Sequence, residues 1–421
     1  MIPKLETLLY DAVLDLQGRR RLDHDPAEAT RLSRELGRSL KDKSYLPSEA
    51  RLVQAVLDKP RWIVKQTFSD QVVSSVLAVQ LSRLAEAQIH PGVHSFRKGR
   101  SSWGASRVLS KFLRQHQQAH ASPKNRGLWV FRGDIRKYGE SIPVHDSSLL
   151  WQQLWELLQG AENDLLGLES KWVFQLLRGL IRPRLQTSEG KSQIREKGTP
   201  TGTPLEPLLL NLYLAPLDQI FGASPGIYLR YGDDLLFACE EKEIFEATLA
   251  SSEPLLERLG LSWNTNKQVV KFWSGSGAAR GGIRGTQYVE FLGLRIHFRG
   301  AIGISQDKQN RIVEFVREAI CREHRMKRAL PDGWEASPEL YGKGLGTFLH
   351  PKSRECLEEL KELYLHCDDR AQMKTLDRAI SLSLLPPLCG KKTARLYRKH
   401  PPSKLAQLLG IPRIQYERNH T

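Results

Sequence analysis

The chain has 421 residues, 40% hydrophobic and 26% charged, and its 63 Lys+Arg against 47 Asp+Glu leave a net charge of +16. That length supports two or three packed units with substantial cores, and the composition excludes fibrous, disordered and low-complexity classes. A cationic surplus of this size points to a polyanionic partner, nucleic acid first, and no apolar run has the length to span a membrane.

In chain order, residues 1–50 are predicted helical, with LETLLYDAVLDL giving an amphipathic period. A mixed segment over 50–105 carries the basic patch FRKGRSS at 96–102. A polar loop, HASPKNRG, precedes a predicted strand, LWVFRGDI, at 128–135. A helical block with Trp151, Trp155 and Leu158 continues through 165–180, and 181–200 reads as an exposed ribbon or loop. Residues 205–221 are predicted as a very apolar helix. IYLRYGDDLLFACE, at 227–240, reads as two short strands joined by a tight hairpin. A helix over 241–260, a Gly-rich loop over 274–285 and a hairpin over 288–300 follow. After 305 the pattern is helical and rich in Lys and Arg. Interleaved strands and helices with helices at both ends describe an α+β core with helical additions. Five scattered cysteines without a C-x-x-C pair point to reduced thiols in a cytoplasmic protein.

The central hairpin carries one acid more than its turn needs. Gly232-Asp233 is a good turn by itself. Asp234 beside it adds like-charge repulsion and a desolvation cost unless a cation is bound there. The strand over 128–135 also ends in an acid, Asp134. If the strands are neighbours, three carboxylates converge, an oxygen donor set suited to Mg²⁺ held together with substrate phosphates. Two such ions about 3.5–4 Å apart activate a hydroxyl and stabilise a leaving pyrophosphate. Between these elements KGTPTGTPLEP, at 197–207, offers small residues that permit close backbone approach to a nucleotide.

The order GDIRKYGESI, GTPTGTPLEPLLLNLYL, YGDD, NTNK and FLGL resembles the palm of reverse transcriptases, in particular the bacterial group II intron-like branch. RWIVKQTFSDQVV and HPGVHSFRKGRSSWGA resemble the two fingers blocks, so the likeness runs in order from Arg61 to Ile296. The resemblance implies a right-hand polymerase of α+β class: an antiparallel palm sheet with packed helices, fingers and a helical thumb. It implies a helical extension over 1–50, fingers over 51–127, palm over 128–304, and thumb with a basic extension over 305–421. Asp134 and Asp233 would be the principal ligands of Mg²⁺, with the Ile135 carbonyl and Asp234 assisting. Arg61 and Lys65 would hold the incoming triphosphate, Thr201 and Gly202 would line the nascent base pair, and Lys267 would contact the triphosphate or protonate the leaving pyrophosphate. Phe291, Leu292 and Gly293 would form the primer grip. Arg97 and Arg100 would meet the nucleic-acid backbone. The implied partners are an RNA template, structured and noncoding, a DNA product and nucleoside triphosphates, without a membrane and with a homo-oligomer open.

Several positions depart from the pattern. Thr201, Thr203 and Glu206 replace the usual Gln, Gly and Ser. Gly139 stands where the family carries a Phe or Tyr that closes the floor against a ribose 2′-hydroxyl, which puts strict deoxynucleotide use in question; Tyr138 is the neighbour able to fill the gap. No RNase H, protease, integrase or cysteine-paired endonuclease segment follows the thumb. The chain therefore resembles the stand-alone antiphage-defence enzymes encoded beside a noncoding RNA. A template-independent nucleotidyl transferase and an RNA-binding maturase or scaffold of the same fold are the alternatives.

Overall fold

A computed structural model describes residues 5–19, 25–55, 61–119, 127–159, 165–187, 190, 192–315 and 360–389. Its elements begin with α1 (Leu5–Arg19), α2 (Pro26–Lys41), β1 (Ala50–Ala55), β2 (Arg61–Lys65), α3 (Phe68–Ala85) and α4 (Ser102–Gln118). The central part holds β3 (Leu128–Asp134), α5 (Tyr138–Ser141), α6 (Leu149–Gln159), α7 (Ser170–Ile181), β4 (Leu185–Gln186) and β5 (Ser192–Gln193). Then come α8 (Glu206–Tyr213), α9 (Ala215–Ala223), β6 (Ile227–Tyr231), β7 (Asp234–Cys239), α10 (Lys242–Arg258) and β8 (Val269–Trp273). The strands β9 (Gly285–Thr286), β10 (Tyr288–Phe291), β11 (Leu294–His297) and β12 (Ile302–Ile304) precede a helix over Arg370–Cys389. The chain divides into two compact units, residues 1–105 with 128–271, and residues 106–127 with 272–421.

In the first unit β7 lies between β6 and β3, antiparallel to both. These three strands are apolar almost throughout and are buried on both faces, which explains why they read as continuous rather than alternating apolar runs. Phe221 from α9 stacks on Tyr228 and Phe131 and meets Phe237 edge-on, so an aromatic cluster fixes the helices to the sheet. A second sheet, in the order β2-β1-β4-β5, buries Ala50, Val64 and Leu185 on one face. Helix capping follows local chemistry. The Asp25 carboxylate accepts from the Ala27 and Glu28 amides at the start of α2, and Thr67 accepts from the Asp70 amide at the start of α3.

The apolar stretch 205–221 is not one helix. α8 ends at Tyr213, Leu214 caps both helices, and α9 carries Pro216 in its first turn. Proline lacks the N–H that would continue the ladder, yet it suits a new first turn.

In the second unit β10, β11 and β12 form an antiparallel meander. Ser110 of α4 donates to the Gly300 carbonyl (2.5 Å), and Gln372 bonds both the amide and the carbonyl of Ile304. Cys239 in the first unit and Cys367 in the second are buried free thiols. No helix among the described residues is long and apolar enough to cross a membrane. Most of the expected thumb and the whole basic extension, at 316–359 and 390–421, lie outside the described residues.

Candidate active site

Strand register brings the acids together. β3 pairs with β7 so that Asp134 faces Asp234 directly, and β6 closes onto β7 with Tyr231 opposite Asp234. Gly232 and Asp233 are thereby left as a two-residue turn. Gly232 has φ +66°, a left-handed value that the right-twisted hairpin needs and that glycine adopts without penalty. The Ile135 amide donates to the Asp233 carbonyl (3.3 Å), tying the turn to the end of β3. A second turn closes the site from the other side: the Asn264 amide donates to the Asp134 carbonyl (2.7 Å). The Asp134 carboxylate accepts from Asn264 Nδ2 (3.0 Å) and Lys267 Nζ (2.7 Å).

The charges are not balanced. Burial, reinforced by the charge of Asp134, raises the Asp233 carboxyl above its usual range, against the pull of Lys267 and Arg61. Burial pushes Asp234 up to about 6, with Asp233 and Asp134 adding to the effect and Arg132 and Lys267 opposing it. The hydrogen bond to Asp134 raises Lys267 in turn. Among the described residues no three acids, imidazoles or thiols are arranged as a ready-made metal cage, and the Asp134 carboxylate is bonded to Lys267 and Asn264. The donor set nevertheless fits a hard divalent cation. It is all oxygen, and the repulsion felt by Asp233 and Asp234 is what such an ion would relieve.

The loop before α8 forms the floor. The Thr199 amide donates to the Gly139 carbonyl (2.8 Å), and the Val64 amide donates to the Thr201 carbonyl (2.8 Å). Gly202 has φ +89°, and a Cβ there would lie 2.4 Å from Ile63 Cγ2, so only glycine lets β2 rest on the loop. Side chains alternate across a strand, so Arg61 and Lys65 share the face of Ile63 that meets this loop. Both are exposed. At Gly139 a Cβ would stand 3.4 Å from Thr199 Oγ1, 3.6 Å from Leu210 Cδ2 and 3.7 Å from Glu206 Oε1, which is ordinary contact. Tyr138 points into the core, its hydroxyl donating to the Leu210 carbonyl (2.5 Å).

Two residues of the floor escaped the sequence reading as participants. Glu206 accepts from the Gly202 amide (2.9 Å), and Arg195 donates to the Thr199 carbonyl (3.2 Å). Asn264 was legible only as part of the NTNK block; nothing in its spacing showed that it would hold Asp134.

Arg97 lies in the loop before α4. Its side chain is only 5% exposed; it pairs with Glu86 (2.6 Å) and donates to the carbonyls of His90 (3.0 Å) and Val93 (2.9 Å). Those bonds clamp the loop. Arg100 donates to the Pro91 carbonyl (2.6 Å). The clamped loop presents Phe96 at φ +55° and 51% exposed, on the edge of a groove of about 1240 Å³ also lined by Arg83, Lys98, Gly202, Thr203 and Pro207. In the second unit Phe291 is fully buried, while Leu292 (φ +55°) and Gly293 (φ +74°) form the turn between β10 and β11.

The site thus combines an acid-bearing hairpin turn, a strand-end acid beside it and a glycine-bearing floor. Residues 49–296 match the family described as reverse transcriptase (RNA-dependent DNA polymerase), and the chain belongs to that family. Its fold class is accordingly the α+β right-hand polymerase. A protein of Schizosaccharomyces pombe, described as an uncharacterized 91 kDa protein in cob intron, is 29% identical over 152 residues, 36% of this chain. The chain covers 16% of that relative's length. Similar solved structures include apo telomerase from Candida tropicalis truncated from its C-terminal domain, at TM-score 0.47 and 12% identity, covering 61% of this chain and 55% of that one. Telomerase from Candida albicans in complex with a TWJ fragment of telomeric RNA has the same score and identity, covering 87% and 64%.

Proposed function

We propose that the acid cluster is the polymerisation site of an RNA-directed DNA polymerase, a nucleotidyltransferase. The observation that carries this reading is the register Asp134↔Asp234 with Asp233 at the adjoining turn. It assembles three carboxylates whose charges the protein only partly balances. Asp134, Asp233, Asp234 and the Ile135 carbonyl would hold divalent cations, with Mg²⁺ as the physiological choice. Such ions, when bound, activate the primer hydroxyl and neutralise charge on the departing pyrophosphate. Arg61 and Lys65, on the strand face that meets the floor, bind the triphosphate. Lys267, kept protonated by Asp134, would give a proton to the leaving group. The groove beside Phe96 receives the unpaired template, whose bases stack on exposed aromatic rings. The turn Leu292-Gly293 supports the primer.

The finer reading is a stand-alone bacterial antiphage-defence enzyme that copies an associated structured noncoding RNA in the cytoplasm. Its support is the sequence resemblance. Residues 51–127, 128–304 and 305–421 take the fingers, palm and thumb roles.

The test is primer extension on a defined RNA template by the full chain, with deoxynucleotides and Mg²⁺. Product complementary to the template, stopped by chelator, is expected. A product that ignores the template favours the template-independent transferase. Absence of product with tight RNA binding favours the maturase or scaffold. Sequencing the RNA that copurifies from the native host tests the defence reading separately.

A further inference from the structure

Beneath the acid turn lies a charged group that no step of the proposed reaction uses. Arg230, in the middle of β6, is 0% exposed, and its partner Asp218 on α9 is 1% exposed. Their contact is bidentate: Nε to Oδ1 (2.6 Å) and Nη2 to Oδ2 (2.7 Å). The remaining donors reach the Gly232 carbonyl (3.0 Å), Asn211 Oδ1 (3.4 Å) and the Asn211 carbonyl (3.4 Å). A guanidinium has five N–H donors in a rigid fork, and here each has an acceptor. The surroundings are equally fixed. Tyr228 donates to Asp218 Oδ1 (2.5 Å), and Asn211 exchanges hydrogen bonds with Ser95. The backbone of Arg230 is bridged to the preceding block through Gly92 and His94.

A buried ion pair is weak support for stability as such, because removing both charges from water cancels much of their attraction. Its position here is informative. The Gly232 carbonyl belongs to the turn that carries Asp233 and Asp234. Apart from the strand ladder, the hydrogen bonds that hold this turn among the described residues include Ile135 N–H on one side and Arg230 on the other. Two neighbouring carboxylates that repel each other and Asp134 would drive an unpinned turn outward.

We propose that Arg230, oriented by Asp218, is a positioning residue. It pins the Gly232 carbonyl and so sets the direction in which Asp233 and Asp234 are presented to divalent cations. This inference rests on the polymerase reading of the acid cluster. A lysine at 230 retains the charge opposite Asp218 but has three donors on a single atom, so it cannot serve Asp218, Asn211 and Gly232 together.

The test uses the full chain and two readouts: primer extension as a function of Mn²⁺ or Mg²⁺, and direct Mn²⁺ binding by electron paramagnetic resonance, which needs no activity. Arg230→Lys is expected to raise the cation concentration for half-maximal extension at least fivefold and to lower kcat about tenfold or more. The nucleotide KM at saturating cation should stay within about twofold, and Mn²⁺ binding should weaken in parallel. Should Arg230→Lys fold poorly, the paired replacement Arg230→Met with Asp218→Leu removes both charges together, a change that buried pairs often tolerate. It should show the same weakened Mn²⁺ binding. Tyr213→Phe removes one buried hydrogen bond elsewhere in the unit, to the Leu259 carbonyl, and should leave the cation dependence at the wild-type value. Wild-type cation dependence and Mn²⁺ binding in a folded Arg230 variant would overturn the positioning role. A wild-type chain that binds no Mn²⁺ and extends no primer would instead overturn the polymerase reading.

Discussion

Two bends of the first unit carry charged side chains and treat them in opposite ways. At the turn Gly232–Asp234 two carboxylates lie beside Asp134 in the strand register, and burial raises both Asp233 and Asp234 above their usual range. At the loop around Arg97 the guanidinium meets Glu86 and two carbonyls, and Glu86 is lowered by that hydrogen bond. One bend leaves charge uncompensated; the other consumes it. Uncompensated buried charge is unfavourable unless a ligand completes it, which makes it a mark of a site. Compensated charge marks architecture. By this criterion Arg97 belongs with the scaffold, although the sequence motif placed it among the nucleic-acid ligands.

The sharpest way to break the comparison is to remove charge at both bends. Replacing Asp233 and Asp234 together with Ala should lower primer extension by on the order of 10³-fold or more, equivalent to roughly 4 kcal/mol of transition-state stabilisation. RNA binding should persist and the metal-free protein should not lose thermal stability. Extension by this variant at the wild-type rate would remove the acids from the chemistry.

A second expectation concerns pH. Asp234 is held up to about 6, above the ~3.9 of an unfolded aspartate. Between those values the folded chain holds a proton that the unfolded chain has released. The associated stability is therefore full below about pH 4 and is lost as pH rises through about 6. Its ceiling is about 3 kcal/mol, from two pKa units at 1.36 kcal/mol each. Thermal unfolding in chelator should show a falling midpoint across this window, and Asp234→Asn should flatten it. Added divalent cation should restore stability near pH 7 by binding the folded state. An unchanged pH slope in Asp234→Asn would show that the carboxyl is better solvated than its burial implies.

At the compensated bend the effect is on folding rather than chemistry. Arg97→Ala deletes an ion pair and leaves two carbonyls without their donor, so about 2 kcal/mol of stability should be lost. Arg61→Ala and Lys65→Ala, on exposed side chains of β2, should change stability by no more than about 0.5 kcal/mol and instead raise the nucleotide KM. Chemical denaturation set beside steady-state kinetics separates these outcomes. A folded Arg97→Ala protein of wild-type stability with much weaker RNA binding would restore Arg97 as a phosphate ligand.

The same contrast explains what could be read from the chain. Strands β3, β6 and β7 were legible because apolar runs ended in acids, and the acids were legible because an extra aspartate made no sense in a turn. The break at Leu214 was signalled but missed: Pro216 falls inside the apolar run 205–221, where proline ends one helix and suits the first turn of the next. Arg97 and Glu86 lie eleven residues apart in different local structures, so their pairing exists only in three dimensions. Arg230 is an intermediate case. Its charge inside the run IYLRY was passed over in reading the strand, and nothing in the order of residues named Asp218 as its partner. Glu206 was visible as a departure from the family's pattern, while its bond to the Gly202 amide was not.

The smallest expected effect is at Gly139. If this position lies beneath the incoming sugar, as the family resemblance implies, the missing aromatic leaves the 2′-hydroxyl unopposed. Tyr138 does not stand in for it. Moving that ring would break a buried hydrogen bond to the Leu210 carbonyl, a cost of about 1–3 kcal/mol. Wild-type enzyme should therefore incorporate ribonucleotides measurably. A Cβ at 139 meets Thr199, Leu210 and Glu206 at 3.4–3.7 Å, so Gly139→Ala should fold normally. One methyl should tighten selection for deoxynucleotides by less than about tenfold, since each ~1.4 kcal/mol of overlap corresponds to a factor of ten. Gly139→Phe should tighten it further where the loop admits the ring. The measurement is the ratio of kcat/KM for matched ribo- and deoxynucleotides on one template. A wild type already as stringent as an aromatic-gated enzyme would mean that another group closes the gate. Glu206 and Thr199, whose oxygens stand nearest to the vacant Cβ position, would then be the residues to change next.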